Sequence, residues 1–220
     1  MYNITVSEEI KKACPVFKGA AVYAEVTNSA FSQGLWDEIN AFTKELTTTT
    51  PDDIKQQPAI AATREVYKRC GKDPSRYRPS AEALRRRLMR GLELYRIDTL
   101  VDLINLVSLR TGYSIGGFDA DKIQGNNLEL GVGRAEEPFE GIGRGTLNIE
   151  GLPVYRDLTG GLGTPTSDNE RTKMGLETRH ILAIVNGYSG CDGLAEAAGM
   201  IQELLRKYAA SDGGTVHYFD

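Results

Sequence analysis

The sequence predicts an α+β fold. Three observations lead there: amphipathic helical periods crowd the first half of the chain, short glycine-punctuated apolar runs fill most of the second half, and one long amphipathic helix closes it. Alternation of strand and helix, the mark of βαβ units, is absent. At 220 residues the chain is long enough for one sizeable core, and one domain is expected over 1–220.

Val16 to Val26 alternates in part and runs into Thr27-Asn28-Ser29, the pattern of a strand ending in a turn. Leu35, Trp36, Ile39, Phe42 and Leu46 recur at helical spacing, and Thr47 to Thr50 with Pro51 should end that helix. A second helix follows Pro58, with Ala59, Ala62 and Val66 inward and Arg64 and Lys68 outward. Gly71 to Pro79 reads as an ordered, arginine-rich loop. Ser80 is placed as the N-cap of a helix with Ala81, Leu84 and Leu88 inward, stopped by Gly91. Thr99 and Asp102 suggest a capping box for the next helix, whose stripe is Leu100, Leu103, Ile104 and Val107.

Beyond Ile115 the periodicity shortens. Leu128, Leu130 and Val132 suggest a strand, and Leu147/Ile149 and Leu152/Val154 suggest a hairpin about Glu150-Gly151. Gly160 to Thr172 reads as a loop, and the all-apolar run Ile181 to Val185 as a buried strand. Asp192 is placed as the cap of the closing helix, with Leu194, Ala197, Ala198, Ile201, Leu204, Leu205 and Tyr208 on one face.

Composition narrows the function classes. With 40% hydrophobic and 25% charged residues and no long apolar stretch, a bilayer-spanning helix is excluded. The opening dozen residues lack the order of a signal peptide, so a cytoplasmic address is expected. Three distant cysteines and two histidines suggest neither a disulfide framework nor a metal centre, and no cofactor is expected. Gly141 to Gly145 lacks the order of a phosphate loop, and Cys191 has no base partner in view. The net charge of −4 conceals an asymmetry: Arg64 to Arg96 holds eleven Lys or Arg against four acids, so that window carries +7 and the remainder −11. A polyanion site on Arg76, Arg78, Arg85, Arg86 and Arg90 is one reading, and a solvated helix face is the other.

The run Arg78 to Leu88, then Arg96-Ile97 with V-D-x-x-N-x-V over Val101 to Val107, then Gly117-Phe118-Asp119 with Lys122-Ile123 and Gly125, resembles the editing domain of the bacterial phenylalanyl-tRNA synthetase beta subunit. The likeness covers about residues 64–185. It implies a three-layer β/β/α domain, the B3/B4 module, and a tRNA partner; with no room for an aminoacylation core, the chain is expected to act as a free-standing domain. It also implies a pocket role for Arg96, Asp102, Asn105, Gly116 and Asp119. The resemblance further implies a histidine where this chain has Gly116 and a pocket glutamate where it has Ile184.

Replacement chemistry is sought in the late loop, Asp168 to Thr172: Asp168 to orient a water, Arg171 or Arg96 to stabilise an oxyanion, with Thr172 in the pocket. Hydrolysis of mischarged aminoacyl-tRNA in trans is the function expected. The alternatives are a non-catalytic RNA-binding module and a binder of a small amino-acid-like metabolite.

Overall fold

A computed structural model describes residues 2–46 and 50–220. The elements run β1 (Asn3–Val6), α1 (Glu8–Ala13), β2 (Lys18–Glu25), α2 (Gln33–Glu45), α3 (Pro51–Gln56), α4 (Pro58–Arg69), α5 (Ser80–Met89), α6 (Thr99–Thr111), β3 (Ile115–Asp119) and β4 (Asn127–Val132). They continue with β5 (Glu140–Gly141), β6 (Gly145–Thr146), β7 (Pro153–Arg156), β8 (Gly161–Gly163), β9 (His180–Gly187), α7 (Leu194–Tyr208) and β10 (Thr215–Phe219).

Two four-stranded sheets stack, β1-β4-β7-β8 and β10-β2-β9-β3, and α2, α6 and α7 cover the second sheet. This is the three-layer β/β/α, α+β architecture expected. The middle sheet explains the apolar run at 181–185, because its strands are covered on both faces. On β9, Ile181, Ala183 and Val185 pack against the helices, while Leu182 and Ile184 pack against the outer sheet. Alternate residues of β2 divide the same way, with Ala20, Val22 and Ala24 toward the helices and Ala21 toward the outer sheet.

Several boundaries differ from the sequence reading, each for a local reason. Thr47 to Thr49 lie outside the described residues, but Pro51 opens a helix: Thr50 and Asp53 form a capping box around it. Ser80 is the first helical residue of α5, after Pro79, and makes no side-chain cap. Asp98, not Thr99, caps α6, accepting the Val101 N–H at 2.9 Å. Gly193 in the left-handed region precedes α7, so Asp192 is not its cap; the Asp192 carbonyl instead accepts the Tyr113 hydroxyl at 2.6 Å. Glu150-Gly151 does form a turn, with Leu152 N–H donating to Ile149, yet β7 pairs with β4 rather than with 147–149. Part of the expected 160–172 loop is strand β8.

The arginine helix also differs from a solvated face. Glu82 is fully buried and accepts from Arg64 and from Arg86, both at 2.7 Å, tying α4 to α5. Arg85 donates to the Leu109 carbonyl of α6, and burial lowers its pKa. Arg64, Arg85 and Arg86 therefore hold the protein's own elements together. Arg76, Arg78 and Arg90 are exposed.

Candidate functional site

β3 is an edge strand of the middle sheet, so its outward N–H groups have no strand to pair with. Across that edge, β8 turns at Thr164–Ser167 and returns through Asp168. The Thr164 hydroxyl accepts the N–H groups of Thr166 (3.2 Å) and Ser167 (3.1 Å), and Thr164 N–H donates to Ser167 at 2.9 Å. The tip of this turn docks on the start of α5, where Ser80 N–H donates to Pro165 at 2.7 Å. The Asp168 side chain is thereby delivered to the β3 edge, and its Oδ2 accepts the Gly117 N–H at 3.0 Å.

Gly163 makes room for that carboxylate, and Gly117 for the neighbouring Ile104 wall. A Cβ on Gly163 would lie 2.4 Å from Asp168 Oδ1, and one on Gly117 would lie 2.6 Å from the Ile104 side chain. Asp168 lines a pocket of about 410 Å³ bounded by Ile97, Val101, Ile104 and Asn105 of the α6 region, Ile142 of the β5–β6 turn, and Met174. The walls are mainly aliphatic. Burial raises the Asp168 pKa from 3.8 to about 7, opposed only by the Gly117 N–H. No cation is paired with it among the described residues. Lys173 shares the pocket lining but is ion-paired with Glu170. Asn105 makes no side-chain hydrogen bond among the described residues, so its amide is free at the pocket wall. A carboxyl half-ionised near neutral pH, beside an apolar cavity and a free amide, can accept a proton from a water or donate one to a ligand.

The other residues singled out from the sequence are placed elsewhere. Asp102 is buried under α2, accepting Trp36 Nε1–H at 2.7 Å and Ile97 N–H at 3.2 Å. Arg96 is exposed and does not line this pocket, its guanidinium 4.9 Å from the Trp36 ring and 5.5 Å from that of Phe31. Arg171 grips Asp157 with two bonds of 3.0 Å and does not line the pocket. Asp119 accepts from Thr178 at 2.9 Å and pairs with Lys122, and Thr172 is fully buried with an unpartnered hydroxyl. Gly116 and Ile184 are cross-strand partners, and Ile184 faces the intersheet core. The expected histidine and glutamate positions thus form one apolar contact, away from the pocket.

Sequence reasoning missed Gly117, Ile97, Ile142 and Met174 as pocket residues. Of these only the Gly116-Gly117 pair carried a signal, since two glycines in an otherwise apolar strand mark a close approach.

The fold and the site define a three-layer β/β/α domain with one edge-strand pocket closed by a carboxyl. The model of the B3/4 domain matches residues 62–204, well over half of the chain, and the chain belongs to that family. This is the domain family of the synthetase beta subunit to which the motifs point. Among solved structures, the chain is similar to an N-terminal fragment of the phenylalanyl-tRNA synthetase beta subunit from Pyrococcus horikoshii, with 16% identity and a TM-score of 0.48. That alignment covers 97% of this chain and 50% of the fragment, so the chain spans half of the fragment's length. No curated protein matches the chain. Among the described residues no helix is long and apolar enough to cross a membrane.

Proposed function

We propose that the pocket receives the aminoacyl end of a tRNA and that the chain hydrolyses the ester in trans. The observation that carries this reading is Asp168: a carboxyl with a pKa near 7, fixed at one oxygen and facing a cavity. A general base works best when its pKa lies near the working pH. The ionised carboxylate takes a proton from a water as that water's oxygen bonds to the ester carbonyl carbon. The Asn105 amide donates to the resulting oxyanion, replacing the arginines expected there, because Arg171 is spent on Asp157. Collapse breaks the ester C–O bond, and the proton passes to the ribose oxygen. Free amino acid and uncharged tRNA leave.

A second reading is favoured by the internal use of Arg64, Arg85 and Arg86, which shrinks the surface offered to RNA. In it the pocket binds a small amino-acid-like metabolite. Deacylation of a panel of charged and mischarged tRNAs, with Asp168→Asn and Asn105→Ala beside the wild type, separates the two. Cleavage of one ester that falls at least hundredfold in Asp168→Asn supports the hydrolase. Cleavage of none, with saturable binding of a free amino acid, supports the metabolite reading.

A further inference from the structure

The loop between β2 and α2 lies outside the residues matched by the B3/4 domain. It is stitched to the start of α6 by three contacts: Thr99 N–H donates to the Ser29 carbonyl at 2.9 Å, the Ser29 and Thr99 hydroxyls meet at 2.7 Å, and Leu100 N–H donates to Asn28 Oδ1 at 3.2 Å. This stitching holds Phe31, 43% exposed, beside the Arg96 guanidinium. Below Arg96 lies Trp36, fixed by its bond to Asp102, and the second Asp102 oxygen holds the backbone N–H of Ile97. One buried carboxylate therefore fixes both the ring under Arg96 and the chain behind it.

Arg96 makes no ion pair in this arrangement among the described residues, and its charge acts on the Asp102 carboxyl from a distance. The arginine ion pairs among the described residues are those of Arg64, Arg69, Arg86, Arg110, Arg156 and Arg171. An exposed guanidinium with no ion-pair partner among the described residues, 4.9 Å from the buried Trp36 ring and 5.5 Å from the exposed Phe31 ring, presents charge beside aromatic surface. Arg96 and Trp36 also line an open groove of about 440 Å³, while the next residue, Ile97, is a wall of the Asp168 pocket. Consecutive residues, Arg96 and Ile97, thus line the two cavities.

We propose that Phe31 and Arg96 form a stacking clamp for an unpaired nucleotide of the RNA whose 3′ end reaches the Asp168 pocket. The proposal rests on the aminoacyl-tRNA reading of that pocket. A base stacks on the exposed Phe31 face and the Arg96 plane, and the guanidinium charge meets the adjoining phosphate. The overall acidity of the chain makes this a local contact and not one provided by the general surface field.

Trp36 is the one tryptophan of the sequence, so its fluorescence reports on this place alone. The probe is the uncharged single-stranded oligoribonucleotide ACCA, titrated into the wild type and into Phe31→Ala, Phe31→Tyr and Arg96→Lys, each checked for folding by circular dichroism. The expected result is a change in Trp36 emission on binding, a roughly tenfold loss of affinity in Phe31→Ala and Arg96→Lys, and recovery in Phe31→Tyr. The Phe31 effect should persist at high salt, because stacking is not screened. Equal affinity in all four proteins, or no binding by the wild type, overturns the clamp. Unchanged KM for aminoacyl-tRNA cleavage in Phe31→Ala also overturns it and leaves the hydrolase standing. Phe31-dependent binding without cleavage of any ester upholds the clamp and removes the hydrolase.

Discussion

Two carboxyls, the buried Asp102 below α2 and the half-buried Asp168 at the β3 edge, start from the same chemistry and end in different roles. Burial raises the pKa of both. Asp102 is answered at both oxygens by the chain's own donors, Trp36 Nε1–H and Ile97 N–H, and has no ligand left to seek. Asp168 is answered at one oxygen only, and the residue lines a cavity. A carboxyl saturated by its own fold is structure, while one left half-satisfied against a pocket is a candidate for chemistry.

The largest test of that contrast is Asp102→Ala. It orphans two donors, one of them a buried indole N–H, and should cost roughly 3 kcal/mol of unfolding free energy in urea melts. A loss below about 1 kcal/mol would mean that Asp102 is not the knot described.

Asp168→Asn should do the reverse. The isosteric amide keeps an acceptor for Gly117 N–H but cannot ionise, so ester cleavage is lost while folding survives. The pH dependence follows from the raised pKa. Because the folded protein holds this proton more tightly than the unfolded chain, its contribution to stability is whole below about pH 4. It is then lost on the order of 1.4 kcal/mol per unit until the pH passes about 7. The variant should lack this slope and be the more stable protein at pH 8. Cleavage by the wild type should rise through the same pH and then level, since the ionised form is the base. A pH-rate profile flat from pH 5 to 8 would remove Asp168 as the base.

Smaller effects bear on the supports. Gly116→Ala places a Cβ 2.7 Å from the Phe118 ring in the intersheet core and should cost about 1 to 2 kcal/mol. Asp98→Ala removes the α6 cap and should cost about 1 kcal/mol, without altering ligand affinity at the pocket floor. A larger loss of affinity than of stability in Asp98→Ala would show that the α6 start shapes the pocket directly.

The site was only partly legible. Asp168 and Asn105 were singled out from the sequence, and they share a pocket because α6 and the 164–167 turn both pack against β3, one over its face and the other across its edge. Arg171 and Thr172, neighbours of Asp168 in the chain, turn away in the single 3-10 turn at 170–172. Chain proximity is a poor guide where a tight turn intervenes. The arginines misled for a related reason: Glu82 is one acid among many in the sequence, and nothing local says that it is buried between two guanidinium groups.

The sequence by itself determined the helices with clear apolar stripes, the doubly buried strand at 181–185 and, through ordered motifs, the family. These rest on periodicity and spacing, which are local and survive in one dimension. Tertiary structure alone decided which face of β3 meets the pocket, which arginines are spent inside the protein, and which carboxyl is left without a partner. Those outcomes depend on donors and charges supplied by segments far apart in the chain, and only packing brings them within hydrogen-bond reach.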